Sequence, residues 1–126
     1  MREVVIYRCN LCGNIVVKLK DGGGTLTCCG QPMEKLTANT VDAAKEKHVP
    51  VATEENGILH VAIGAVEHPM TEEHHIEWIL LDTGDHFEVT YLQPGMKPEA
   101  DFHFSKDGNA AIYEYCNLHG LWKTDL

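Results

Sequence analysis

Glu55-Asn56-Gly57-Ile58-Leu59-His60-Val61-Ala62-Ile63-Gly64 is the stretch on which the fold turns. Apolar side chains alternate at Leu59, Val61 and Ile63, His60 falls between them, and turn residues bound the run. A period of two describes a strand with one face buried, which puts His60 on the solvent side. Downstream the beat recurs at Ile76, Trp78 and Leu80, at Phe87, Val89 and Tyr91, at Phe102 and Phe104, and at Tyr113 and Tyr115. Breaks fall at Thr83-Gly84-Asp85, Gln93-Pro94-Gly95 and Lys106-Asp107-Gly108-Asn109. About seven short strands with such punctuation predict an antiparallel β-sandwich. By the same alternation His103 faces outward, and His86, after a Gly-Asp turn, is also a surface residue.

Upstream the character changes. Asp42 to Lys47 suggests a helical turn that Pro50 keeps from running past His48, so this segment is a linker and an entry loop. Before it, Val4 to Arg8 and Ile15 to Leu19 are β-rich, Gly22, Gly23 and Gly24 mark a turn, and Thr25 to Thr27 lead to a second cysteine pair. The division is therefore residues 1–36 and residues 37–126. A unit of fewer than about 40 residues buries too little apolar surface to fold alone and needs a cross-link.

The totals exclude several classes. The chain has 126 residues, 19 acidic against 10 basic, a net charge of −9 and no basic stripe, so nucleic acid and anionic membranes are poor partners. No apolar run approaches the roughly 18 residues that would cross a bilayer. Residues Met1 to Val5 lack the apolar core of a signal peptide, which places the chain in the cytoplasm. Thiols stay reduced there, so the five cysteines read as metal ligands before they read as disulfides.

Cys9-x2-Cys12 puts two sulfurs on one turn, and Cys28 and Cys29 supply two more without the usual spacer. Adjacent ligands cannot both take the relaxed turn geometry, so the tetrahedron should be distorted; structural zinc and a single iron suit four thiolates equally. Eight histidines accompany them. His48 and His68 lie in connections, His74 and His75 open a strand, and Cys116 is spaced three residues from His119 in the connection before Leu121; loops at one end of a sandwich can converge on one point. A copper loop of the cupredoxin kind would continue to a Met, and none follows His119, so iron is the stronger reading.

Cys9-x2-Cys12 with Cys28-Cys29, Glu46-Lys47-His48-Val49-Pro50, Gly64-Ala65-Val66-Glu67-His68-Pro69-Met70, His74, and Cys116-Asn117-x-His119-Gly120 with Trp122 together resemble the desulfoferrodoxins, the two-iron superoxide reductases, over essentially the whole chain. The resemblance implies a mainly β protein: a small rubredoxin- or desulforedoxin-like metal domain, then an immunoglobulin-like antiparallel β-sandwich. It makes Cys9, Cys12, Cys28 and Cys29 the ligands of a first iron. It makes His48, His68, His74 and His119 the equatorial ligands of a second, with Cys116 axial. His75 then stands as an outward-facing strand residue.

The implied activity is one-electron reduction of superoxide to hydrogen peroxide, in defence against oxidative stress. Lys47 would attract the anion that an acidic surface otherwise repels, and Glu46 would occupy the open position of the oxidised site. A rubredoxin-like donor and a homodimer complete the expectation. Two other readings compete: a coordinatively closed electron-transfer module, and a colourless zinc-ribbon appendage on a sandwich used for protein contacts.

Overall fold

A computed structural model describes residues 4–105 and 109–126. Residues Met1 to Glu3 and most of the turn expected at Lys106-Asp107-Gly108-Asn109 lie outside the described residues. The chain divides into two compact units, Met1–Thr37 and Ala38–Leu126. Among the described residues no helix is long and apolar enough to cross a membrane.

In the first unit β1 (Ile6–Arg8) is flanked by β2 (Ile15–Val17) and β5 (Glu34–Lys35), both antiparallel to it. A separate pair, β3 (Thr27–Cys28) and β4 (Gln31–Pro32), is joined by Cys29 and Gly30 alone. Both joining residues have positive φ, 53° and 75°. That is the signature of a two-residue type I′ hairpin, whose twist matches the strands it connects. Adjacent cysteines are thus a hairpin device, with Cys28 ending a strand and Cys29 turning it in a left-handed conformation unfavourable for a residue with a Cβ. Only Val4, Ile6 and Cys9 are buried apolar residues in the described part of this unit. So small a core cannot hold the unit by hydrophobic burial.

Among its described residues the second unit has seven strands. One sheet has the order β10-β7-β6, from β6 (Pro50–Glu55), β7 (Ile58–Ile63) and β10 (Glu99–His103). The other has the order β12-β11-β8-β9, from β8 (Ile76–Asp82), β9 (Phe87–Tyr91), β11 (Ala111–Cys116) and β12 (Gly120–Asp125). All neighbours are antiparallel. Asn56-Gly57, φ 53° and 79°, makes a second tight hairpin between β6 and β7. One apolar cluster takes Leu59, Val61, Ile63 and Phe102 from the first sheet and Ile76, Ile79, Leu81, Ile112 and Cys116 from the second. This is the core of an antiparallel β-sandwich.

The alternation read from sequence finds the strands and, in three of them, mistakes the face; on β8 the core cluster takes Ile76, Ile79 and Leu81 and leaves out Trp78 and Leu80. In β11 the core cluster takes Ile112 and Cys116, while Tyr113 and Tyr115, also buried, lie outside it. Tyr115 pairs with Trp78 and Cys116 with Ile76, so the extra residue, Glu77, lies in β8 and breaks the period of that strand. On β9, Tyr91 is 78% exposed rather than inward. His60, His86 and His103 are exposed as expected.

The expected helical turn is α1 (Lys45–His48), and Pro50 opens β6. Four residues without a side-chain N-cap cannot hold themselves helical. Contacts to a neighbouring turn hold them instead, described below.

Candidate metal centres

The four sulfurs of the first unit lie within 4.8 Å of one another. Four thiolates about 2.3 Å from a central ion at tetrahedral angles stand about 3.8 Å apart. Cys12 Sγ and Cys28 Sγ are 3.6 Å apart, and Cys28 Sγ and Cys29 Sγ 3.9 Å. The donor set therefore fits a tetrahedral thiophilic ion.

Local backbone builds the first knuckle. The Gly13 N–H donates to Cys9 O at 2.9 Å, the Cys9 N–H donates to Asn14 O at 2.8 Å, and the Cys12 N–H points at Cys9 Sγ from 3.5 Å. Amide donation from Cys12 and Leu11 lowers the Cys9 pKa to about 6. Cys29 is pushed up to about 12 by the neighbouring Cys12 and Cys28 thiols, and Cys28 is raised for the same kind of reason. Four sulfurs this close cannot all shed protons without a cation among them.

The second cluster gathers at one end of the sandwich, where Pro50 opens β6 opposite the last residue of β7, and Cys116 closes β11 opposite Gly120 and Ile76. His48 ends α1, His68 lies in the connection after β7, His74 precedes β8, and His119 lies in the turn between β11 and β12. One donor atom each from His48, His68, His74 and Cys116 lies within a 4.8 Å group. His119 joins them through Nδ1, 3.1 Å from His48 Nε2 and 4.0 Å from Cys116 Sγ.

The imidazoles form a square. Successive ring centroids are 4.7 Å apart for His48–His68, 4.6 Å for His68–His74, 5.0 Å for His74–His119 and 4.9 Å for His119–His48. The His48–His74 diagonal is 6.2 Å. Neighbouring rings are near perpendicular, between 76° and 88°, and the diagonal pair is inclined by only 30°. Two nitrogens about 2.1 Å from one ion and at right angles to each other stand about 3.0 Å apart. His48 Nε2 is 3.2 Å from His68 Nε2 and 3.1 Å from His119 Nδ1. Such nitrogens are adjacent corners around a single ion.

Backbone carbonyls choose the tautomers. His48 Nδ1–H donates to Ala44 O at 2.7 Å and His68 Nδ1–H to Pro69 O at 2.7 Å, which leaves both Nε2 lone pairs free. Buried His74 Nε2 has no hydrogen-bond partner among the described residues. An orphaned imidazole nitrogen beside two other lone pairs fits a cation. Burial also keeps the rings neutral, lowering His48, His74 and His68, the last to about 4. Desolvation raises the Cys116 thiol, against amide donation from Leu118 and His119. A metal ion would reverse that balance and take the thiolate.

Several bracing residues escape a reading for ligands. Asn117 clasps both peptide groups beside His74: its Nδ2 donates to Glu73 O at 3.0 Å, its Oδ1 accepts from the His75 N–H at 2.9 Å, and its own N–H donates to His75 O at 3.2 Å. Thr71 closes the turn, its N–H donating to His74 O and its Oγ1 accepting from the His74 N–H. Trp122 stacks on His48 at 4.9 Å and donates from Nε1 to His119 O at 3.1 Å. His75 lies one residue ahead of β8 rather than in it, its Nδ1–H donating to Thr71 O. Glu114, two residues before Cys116 on β11, is fully buried, and neither carboxylate oxygen has a partner among the described residues. Desolvation raises its pKa well above the usual carboxylate range. Nothing in the run Tyr113-Glu114-Tyr115 distinguishes it from an outward-facing strand residue.

Glu46 and Lys47 are both exposed, next to buried His48. The Lys47 charge is felt at His48 and at His74, on opposite corners of the square.

Comparisons with known proteins agree with this picture. The family model for desulfoferrodoxin matches residues 40–125, and that for the desulfoferrodoxin N-terminal domain matches residues 1–36. A desulfoferrodoxin of Clostridium acetobutylicum is 49% identical over 124 residues, 98% of each chain. The superoxide reductase of Treponema pallidum superposes with a TM-score of 0.78 at 33% identity, covering 98% of this chain and 99% of that one. A one-iron superoxide reductase from Giardia intestinalis superposes with a TM-score of 0.56 at 31% identity, covering 65% of this chain and 98% of that one.

Proposed function

The chain belongs to the desulfoferrodoxin family, and from that premise we infer that it is a superoxide reductase carrying two irons, one per cluster. The carrying observation is the square of four imidazoles with one buried thiol beside it. We assign Cys9, Cys12, Cys28 and Cys29 to the first iron. His48, His68, His74, His119 and Cys116 would hold the second.

Iron held by the second set would supply the electron for superoxide, and five protein donors would leave a position for the substrate. The residues do the rest. Cys116 belongs to the apolar core and is fully buried, so its sulfur would be offered from the core and would donate electron density to a bound iron. The outer side is left to solvent and to the exposed pair Glu46 and Lys47. On a chain of net charge −9, the Lys47 ammonium offsets the field that would repel an anion. Glu46 supplies a carboxylate able to fill the open position when no substrate is present. Superoxide takes up one electron and two protons and leaves as hydrogen peroxide.

The wider reading follows the family: residues 1–36 as the first metal domain, residues 37–126 as the catalytic domain, a rubredoxin-like electron donor, a homodimer and a cytoplasmic setting. Pulse-generated superoxide mixed with the reduced, iron-loaded protein tests the activity. A second-order loss of superoxide, with a ferric band appearing in step, supports it; decay at the buffer rate rejects it. The zinc-ribbon alternative predicts a colourless protein, so metal analysis and the visible spectrum of the oxidised protein as isolated decide against one of the two.

Lys47→Ala should slow superoxide encounter about tenfold at low ionic strength and flatten its salt dependence, with an unchanged ferrous spectrum. An unaltered rate would remove Lys47 from the mechanism. Glu46→Ala should move the ferric absorption band while sparing the rate, and an unmoved band would count against its role.

A further inference from the structure

Gly64 sits at φ +86°, in the left-handed region, at the turn that follows β7. A Cβ there would fall on the Val66 carbonyl oxygen, 2.7 Å from the Lys47 carbonyl oxygen and 2.8 Å from its carbon. All three are backbone atoms, which cannot rotate aside as a side chain would. Gly57, at φ +79°, has the same left-handed backbone and nothing within 4 Å of its own Cβ position. The two glycines therefore separate conformational need from contact: both suit a positive φ, and only Gly64 lets another backbone come close.

The backbone it admits is the one that carries Glu46, Lys47 and His48. The Gly64 N–H donates to Val49 O at 3.2 Å and the Val66 N–H to Glu46 O at 2.8 Å, so the 64–66 turn grips the segment on either side of Lys47. Ala44 O accepts twice, from the Lys47 N–H at 3.2 Å and from His48 Nδ1–H at 2.7 Å. With no side-chain cap on a helix of four residues, this clasp is what locates the segment.

We propose that Gly64 is the positioning residue for Lys47, fixing the height at which the ammonium meets the anion entering the histidine site. The proposal rests on the superoxide reductase reading. A methyl group at residue 64 forces the 46–49 backbone away from the 64–66 turn and carries Lys47 with it. His68, on the same connection, keeps its own carbonyl partner at Pro69.

The test compares iron-loaded wild type with Gly64→Ala, Gly57→Ala, Lys47→Ala and the double variant Gly64→Ala/Lys47→Ala. Amide hydrogen exchange over residues 44–49 should accelerate in Gly64→Ala and stay at the wild-type rate in Gly57→Ala. At low ionic strength Gly64→Ala should lose about tenfold in the second-order rate with pulse-generated superoxide, and in the Lys47→Ala background the same change should cost less than about twofold. Both irons should remain at wild-type content. Unchanged exchange in Gly64→Ala, a wild-type rate, or a full tenfold loss in the Lys47→Ala background would each overturn the proposal. If Gly64→Ala does not fold, Val66→Pro, which removes the N–H that holds Glu46 O, takes its place with the same expectations. A wild-type protein inert to superoxide would sink the functional reading, whereas the exchange contrast between the two glycine variants judges Gly64 by itself.

Discussion

A neutral imidazole can offer either nitrogen to a metal, and at His48 and His68 the choice is made by carbonyl oxygens of Ala44 and Pro69 rather than by the metal. His119 presents the other nitrogen, Nδ1, from a turn whose far end is pinned by the Trp122 indole. The site is thus arranged by the polypeptide before an ion arrives. Glu114 shows the opposite economy: a carboxyl with no partner in the core costs stability. Glu114→Leu should raise the thermal midpoint, by roughly 1–3 kcal/mol of unfolding free energy if the unpaired group is the whole effect. A lower midpoint would mean that Glu114 has a partner the described residues do not show. The ligands themselves were legible because thiols and imidazoles at such spacings have few other uses. Glu114 was not, because a Glu between two tyrosines has the alternation of any half-exposed strand, and only the packing of both sheet faces hides it.

At the scale of elements, the ligands ride on three connections at one end of the sandwich, His68 and His74 sharing the one between β7 and β8, and each connection is braced. Asn117 is the brace that joins two of them, holding Glu73 and His75 on either side of His74. Asn117→Ala should weaken retention of the second iron about 10- to 100-fold against a chelator while leaving the four-cysteine centre intact. Equal loss of both irons, or of neither, would contradict this role. Strand positions were readable from alternation and turn residues, and so was the stop that Pro50 places on α1. The core face of β11 was not, since both its faces are buried and apolar character no longer marks the inside. Nor was the type I′ hairpin at Cys29-Gly30: adjacent cysteines predict a distorted site, but the left-handed Cys29 that resolves the crowding is a backbone fact.

For the whole molecule, the division of labour follows from core size. Among the described residues, the sandwich has an apolar cluster drawn from both sheets, while the first unit buries only Val4, Ile6 and Cys9, the last of these one of its four thiols. Removing the first metal should therefore unfold that unit and spare the other. Cys12→Ser should abolish the first iron and its colour, expose residues 4–37 to proteolysis, and leave superoxide reduction within about twofold of wild type. A parallel collapse of the rate would make the first iron an obligatory relay. The measurement that bears most directly on the account is the product ratio: reduced, iron-loaded protein, supplied with excess donor, is given a known pulse of superoxide, and peroxide and dioxygen are counted. One hydrogen peroxide for each superoxide consumed, with no dioxygen returned, is the predicted result. Half that peroxide with dioxygen evolved would mean dismutation, and reduction at the histidine site would have to be abandoned.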